Sequence, residues 1–189
     1  MAGETNFWVR WRVRAGYPVA ALYLLLASPT PRSIAWGAAV AVSGLFVRGA
    51  AAGHLRKQEV LTVTGPYAWT RNPLYFGSAL LAAGFAIAGG SIWAATLLVG
   101  YYLAFYPAVM RREESQLRAR YAAVFNAYAA RVPLFWPRPP RNPPDAPSPN
   151  NNGFSWAQYV RNREYQAALG FLVGLALLWL RMLAAAKRG

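Results

Sequence analysis

The sequence predicts an all-α integral membrane protein, a helical bundle of about five transmembrane helices with one amphipathic helix on the cytoplasmic side. Three observations carry that expectation. Of 189 residues, 56% are hydrophobic and only 14% charged, where soluble domains average about 25% charged. The apolar residues gather into blocks that reach or approach the roughly 20 residues a bilayer crossing needs. The 20 Lys and Arg, against 6 Asp and Glu for a net charge of +14, sit at the ends of those blocks, where long cationic side chains meet anionic headgroups. A nucleic-acid binder is also basic and aromatic, but that role does not explain cations confined to the ends of apolar stretches. The chain has no cysteine and a single histidine, His54. A disulfide scaffold, a thiolate zinc site and a cysteine nucleophile are therefore excluded, and little room is left for a His-based metal centre or a Ser-His-Asp relay.

The first span is expected over residues 12–28. Its apolar stretch, 15–27, is short and reaches spanning length only if Trp11, Val13 and the stems of Arg12 and Arg14 enter the interface. A basic start before a short apolar run also fits a signal peptide, and the period-two alternation over residues 9–14 also fits a strand. A Trp/Arg interface belt accounts for the same pattern. Further spans are expected over 33–53, 74–90, 91–110 and 166–186. The third and fourth are separated only by Ala88-Gly89-Gly90-Ser91, which makes them an antiparallel hairpin. Arg48, inside the second span, is expected to snorkel or to meet a lipid headgroup. The pairs Gly49/Gly53 and Gly170/Gly174 are expected to bring helices close.

With five spans, the N-terminus, the 54–73 loop and the 111–165 segment share one side and hold most of the cations, so that side is cytoplasmic by the positive-inside rule. All the acidic residues fall there too. Polar chemistry is thus expected in the cytoplasm, close to the membrane, while Arg181, Lys187 and Arg188 are exceptions to the rule. Leu117, Tyr121, Val124, Phe125 and Tyr128 recur at helical spacing, with Arg118, Arg120 and Arg131 on the other side. This amphipathic helix continues the fourth span and ends at Val132-Pro133. A Pro/Asn-rich linker over 137–153 follows, then a surface-lying segment around Phe154, Trp156 and Tyr159.

Two polar clusters are candidates for function. In the 54–77 segment, Pro66 and Pro73 hold their preceding residues away from helix, and Pro73 suits the first position of the third span. An ordered loop then presents Tyr67, Arg71, Asn72 and Tyr75 around a helix N-terminus suited to carboxylate or phosphate. A plain turn with belt aromatics is the competing reading. Glu113 and Glu114 continue the apolar stripe of Leu117, where carboxylates are costly unless paired. An ion-pair patch with Arg111 and Arg112 satisfies them, and so does a site that wants negative charge.

The stretch Leu61-Thr-Val-Thr-Gly65-Pro66-Tyr67-Ala-Trp-Thr-Arg71-Asn72-Pro73-Leu-Tyr75-Phe-Gly77, followed by Glu113-Glu114 and then Phe125, Tyr128 and Val132-Pro133, resembles the isoprenylcysteine carboxyl methyltransferase and phospholipid methyltransferase superfamily. The resemblance covers roughly residues 54–137. It implies a small multi-span enzyme that binds S-adenosylmethionine on the cytoplasmic side and methylates a lipid-like acceptor, preferably the carboxylate of an isoprenylcysteine-type substrate. It implies cofactor binding by Glu59, Val60, Leu61, Thr62, Tyr67, Asn72, Pro73, Leu74, Tyr75 and Glu113, in a region spanning 54–77 and 107–137, and catalytic roles for Arg71, Arg112 and Glu114. It implies neither a metal nor nucleic acid; membrane lipids are the expected surroundings. Asn72 stands where the family usually has His, and Val109 where the carboxyl methyltransferases have an Arg, for which Arg111 or Arg112 is a substitute.

Other functions fit the same residues. A phospholipid amine N-methyltransferase would need a base such as Glu59, Glu114 or His54 for a protonated amine. An NADPH-dependent membrane reductase of the sterol reductase type has a similar Arg-x-Pro-x-Tyr loop, with Arg56, Lys57 and Arg71 available to a 2′-phosphate. The Glu pair and the short chain favour the methyltransferase. In a non-enzymatic membrane protein, both clusters would be structural. The aromatics Phe76, Phe85, Tyr101, Tyr102, Phe105 and Tyr106 fit helix packing and the wall of a lipid tunnel alike.

Overall fold

A computed structural model of the chain describes residues 2–56, 60–140 and 153–187, with side chains of the first helix from Trp11 onward. Six helices follow in order: α1 (Ala2–Leu26), α2 (Pro31–His54), α3 (Pro73–Ala88), α4 (Ile92–Arg131), α5 (Trp156–Arg161) and α6 (Tyr165–Ala186), with a 3₁₀ turn over Gly65–Ala68. No strand occurs among the described residues. The alternation at residues 9–14 lies in α1, so the strand reading is corrected: a helix satisfies its own backbone groups, as a bilayer demands, and an unpaired strand does not.

Three helices, α2, α4 and α6, are long and apolar enough to cross a membrane, and α3 is apolar but shorter. Trp36, Phe46, Trp93, Leu103, Leu172, Val173 and Leu180 all point outward, as expected where the surroundings are hydrocarbon. The fold is a helical membrane bundle.

Local sequence sets the helix limits. Thr30 and Ser33 form a reciprocal capping box around Pro31, closing two orphan donors at the start of α2. Pro73 occupies the first position of α3. At the α3–α4 turn Gly90 adopts φ +61°, and a Cβ there would lie 2.5 Å from the Ser28 carbonyl oxygen. That carbonyl's own residue donates its N–H to Gly89 O at 2.8 Å, so the α1–α2 connection and the hairpin turn grip each other. The hairpin is present as expected.

The closest helix contact lies elsewhere than the sequence suggested. Cβ atoms on Gly84 would lie 2.6 Å from Gly37 O and Ala41 Cβ, and one on Gly44 would lie 2.6 Å from Gly77 O. Gly37, Gly44, Gly77 and Gly84 therefore let the backbones of α2 and α3 touch, a close approach available only to small residues. By contrast Gly53 lies under the Phe154 ring, Gly174 accommodates Phe85, and Gly170 faces open space. Those glycines make room for side chains and a cleft, not for a helix.

At one end of the bundle, Tyr23, Ala27, Ile34, Ala88, Ala94 and Leu178 form a solid core, tied by the Tyr23 hydroxyl donating to Phe85 O at 2.6 Å. Arg181 donates there to Leu24 O at 3.2 Å and Leu25 O at 3.4 Å. It caps the C-terminal carbonyls of α1, where a cation is favoured. This accounts for a cation at the end of the bundle where the charge rule expects none.

Arg48 does not snorkel. It makes a double contact with Glu164, Nε to Oε1 at 2.6 Å and Nη2 to Oε2 at 3.0 Å, and also donates to Ser78 Oγ at 2.5 Å and Leu74 O at 3.4 Å. A buried carboxylate at the head of α6 provides a stronger partner than the headgroup layer. The surface-lying segment proves to be α5 with Phe154, docked on the end of α2 through Asn162, whose Nδ2 donates to Ala52 O at 2.8 Å and Leu55 O at 2.9 Å. Most of the expected linker, 141–152, lies outside the described residues.

Helix α4 has 40 residues, about 60 Å at 1.5 Å per residue, roughly twice the hydrocarbon thickness. Its second half therefore emerges from the bundle as the expected amphipathic arm, kinked at Ala122 (φ 34°, ψ −109°). On that arm Phe125 is buried and Tyr121 and Tyr128 half-buried, while Leu117 and Val124 are exposed.

Candidate functional site

The segment between α2 and α3 is held by an extended stretch that follows α4. Arg71 N–H donates to Pro133 O at 2.9 Å and Arg138 N–H to Trp69 O at 3.0 Å. The buried Thr70 hydroxyl reaches Phe135 O at 3.0 Å, and Asn72 Nδ2 donates to Leu134 O at 3.0 Å. The Tyr128 hydroxyl donates to Tyr67 O at 2.7 Å. Gly65 turns the chain at φ +60°, where any Cβ would strike the His54 ring. Over its described residues 60–72 the loop is held by these bonds, and its clamp is the segment around Val132-Pro133.

This clamp frames a cavity of about 1150 Å³ at the end of the bundle away from the solid core. Its wall includes Val60, Leu61, Thr62, Tyr67, Asn72, Pro73, Leu74, Tyr75 and Glu113, together with Arg71 and Glu114. Glu59 lies outside the described residues. Arg112 is not part of the wall, nor is His54. His54 packs instead against Phe154 at 6.2 Å between ring centroids, its Nδ1 2.8 Å from Ala50 O.

Two carboxylates line the wall with different partners. Glu114 accepts from Arg71 Nη1 at 2.8 Å and pairs with Arg118 at 3.6 Å. Glu113 accepts from the Tyr75 hydroxyl at 2.6 Å. The cations paired with Glu114 are thus Arg118, one helical turn onward, and Arg71 from the segment before α3. Among the described residues, Arg71 Nε is buried with no hydrogen-bond partner. An unsatisfied buried donor costs about 1–3 kcal/mol, and this one belongs to a side chain of the cavity wall. The start of α3 has no side-chain cap, and its Leu74 and Tyr75 also line the cavity. Orphan helix N–H groups beside a guanidinium suit an anion. Burial pushes the Tyr67 and Tyr128 phenols well above their usual pKa, so both stay protonated hydroxyls.

Several wall residues were not read from the sequence as part of a site. Helix α1 contributes Arg12, Val13, Gly16, Tyr17 and Ala20, and α2 contributes Arg48. A second, narrower cleft of about 330 Å³ runs between α3, α4 and α6 past Phe85, Tyr102, Gly170 and Phe171, and shares Arg48, Ser78, Tyr101 and Tyr106 with the main cavity. Of the ambiguous aromatics, Phe76 packs on Phe135 and Trp136 and Phe105 on Tyr101; neither is in the wall of the main cavity or of the narrow cleft. The signal that marked α1 was present in the alternation of Arg10, Arg12 and Arg14 with apolar residues, but an interface belt explained it equally well.

The bundle, with its outward apolar surface, is that of an integral membrane protein, and it carries a polar-lined cavity at one end. Residues 34–124 match the phospholipid methyltransferase family, which belongs to the integral-membrane isoprenylcysteine/phospholipid methyltransferase superfamily. Among curated proteins, the chain is similar to the nickel-cobalt-cadmium resistance protein NccN of Alcaligenes xylosoxydans xylosoxydans, 39% identical over 83 residues. It is also similar to the cobalt-zinc-cadmium resistance protein CzcN of Cupriavidus metallidurans, 35% identical over 83 residues. Each match covers 44% of this chain and 38% of the relative. No solved structure matches at a significant level.

Proposed function

We propose that this protein is a membrane methyltransferase that takes its methyl group from S-adenosylmethionine and gives it to a lipid-like acceptor on the cytoplasmic side, a carboxylate being preferred to an amine. The single observation that carries this reading is the gathering of Tyr67, Arg71, the start of α3, Tyr75 and the Glu113-Glu114 pair around one cavity. The family of residues 34–124 supports it.

The residues present fit the cofactor. The unpartnered Arg71 Nε and the uncapped α3 start suit its carboxylate, and Glu113 and Glu114 suit its amino group and ribose hydroxyls. Tyr67 and Tyr75 would face the sulfonium, a cation–π contact worth about 0.5–2 kcal/mol. When bound, S-adenosylmethionine supplies an already activated methyl group, so the cofactor carries the hard step. The chain's own work is to align the acceptor and keep water out. The Arg71–Glu114 pair fixes the wall, and the protonated Tyr67 leaves no competing phenolate. The narrow cleft opens between α3, α4 and α6, where an acceptor's hydrocarbon tail lies without leaving the membrane. A carboxylate acceptor is ionised at pH 7 and needs no base.

The cytoplasmic orientation rests on the cations beside the cavity. The relatives are named for metal resistance; among the described residues, no group of three His, Cys, Asp or Glu is placed to hold a metal ion. Calorimetric titration of the detergent-purified protein with S-adenosylmethionine and, separately, NADPH tests the reading. Binding of S-adenosylmethionine alone is expected. Binding of NADPH alone would move the protein to the reductases.

A further inference from the structure

The cavity wall holds four arginines, Arg12, Arg48, Arg71 and Arg120, and their situations differ. Arg48 is neutralised by Glu164 and Arg71 by Glu114. Arg120 lies over the Tyr121 ring of its own helix, 5.6 Å from the centroid, and its residue is exposed. Arg12 comes from α1. It is half-buried, its guanidinium stands 5.7 Å from the centroid of the Tyr106 ring, and it lies within reach of the Tyr75 phenol. No ion pair joins it to a carboxylate among the described residues.

Its position is fixed by α1 and α4 together. The Tyr101 hydroxyl donates to Arg12 O at 2.5 Å, and one helical turn further along α1 Gly16 leaves room for that same hydroxyl, a Cβ there lying 3.4 Å from it. Tyr101 and Tyr106 line both the main cavity and the narrow cleft. Arg12 therefore stands where the two spaces meet, against rings that cannot neutralise it, with the carboxylate Glu113 already engaged by Tyr75. A partly desolvated cation held in place without a counter-charge favours an anion arriving from outside. Arg71, by contrast, is supplied by the segment before α3 and is paired with Glu114, so the two guanidiniums of the wall differ in the charge they have left to offer.

We propose that Arg12 holds the anionic head of the membrane-embedded acceptor, at the junction of the main cavity and the narrow cleft. This rests on the methyltransferase reading and names the acceptor's class as an anionic amphiphile. The anion is a carboxylate or a phosphate, and in the first case the group held is also the group methylated. Arg12 is then a binding residue supplied by a helix that lies wholly outside residues 34–124.

The test measures binding of two anionic amphiphiles to the full chain in detergent: N-acetyl-S-farnesylcysteine, a carboxylate, and lysophosphatidylethanolamine, whose only anion is a phosphate. The methyl ester of the first serves as the neutral control. Wild type, Arg12→Met and Arg12→Lys are compared. Met keeps an unbranched stem against Tyr106, so folding is read independently from the melting temperature. Arg12→Met is expected to weaken one or both anions about tenfold or more, the range for a hydrogen bond to a charged group. The ester should be unaffected, S-adenosylmethionine affinity should be unchanged, and Arg12→Lys should recover part of the loss. Which anion responds identifies the source. If Arg12→Met binds both anions as wild type does, or weakens S-adenosylmethionine instead, the proposal is overturned. Failure of wild type to bind S-adenosylmethionine would overturn the methyltransferase reading while leaving the anion measurement intact.

Discussion

Glu113 and Glu114 are neighbours in sequence and differ in what they have left to offer. Glu114 is shared by two arginines, whereas Glu113 accepts from the neutral phenol of Tyr75. On the proposed reading, Glu113→Gln should weaken S-adenosylmethionine about tenfold by calorimetry, with an unchanged melting temperature. Equal affinity in the variant would remove Glu113 from the site. A different penalty is expected at Arg48 and Glu164, whose side chains are 22% and 8% exposed. Leaving either charge alone costs about 3 kcal/mol, the lower end of the range for a buried pair because Arg48 keeps some solvent. Thermal unfolding of Glu164→Gln and of Arg48→Met should show comparable losses, and the double variant should lose less than their sum. The sequence displayed Arg48 as a charge inside an apolar run but gave no clue to its partner. Glu164 lies 116 positions away, and single-sequence spacing carries no information over that separation. The place of Asn72 at the head of α3 was legible from the Pro73 that follows it, while the bond from its amide to Leu134 O was not.

At the scale of elements, periodicity and punctuation performed well. The two prolines, the Gly89-Gly90 turn and the Val132-Pro133 stop each mark an observed boundary, because each acts on backbone geometry within a few residues. Pairings between helices were less legible. The glycines of α2 and α3 that meet are spaced seven apart in both helices, and the eye is drawn to nearer pairs. Gly84→Val should therefore strike Gly37 O and Ala41 and unfold or strongly destabilise the protein in detergent, by more than about 3 kcal/mol on the scale of the severest packing substitutions; Gly170→Ala, in the interior of α6 with open space around it, should hold or raise stability, by about 0.5–1 kcal/mol at most. Gly170 faces open space on the narrow cleft. A larger residue there, Gly170→Phe, is expected to raise KM for long-tailed acceptors several-fold while short-tailed ones and cofactor affinity stay the same. Equal KM across tail lengths would show that the cleft is not used by the tail.

For the whole molecule, the charge distribution predicts that a tag after Gly3 and another within 137–153 both face the cytoplasm, read by accessibility to an impermeant label in sealed vesicles. Opposite sides would break the five-span topology. The bundle class was legible because hydropathy acts on whole segments and needs no knowledge of contacts. The cavity was legible only in part, because the 60–75 segment and the Glu113-Glu114 pair carry motifs, whereas the wall residues supplied by α1 belong to none. That division has a consequence for how such a protein changes. The segment 34–124 supplies Tyr67, Arg71, Tyr75 and the glutamates, while α1 is a separate piece of 25 residues attached by a short turn. On the proposed reading, the group donor is served by one stretch of chain and the choice of recipient by another. A lineage, or an engineer, can then exchange the first helix as a cassette and acquire a new recipient without rebuilding the donor side.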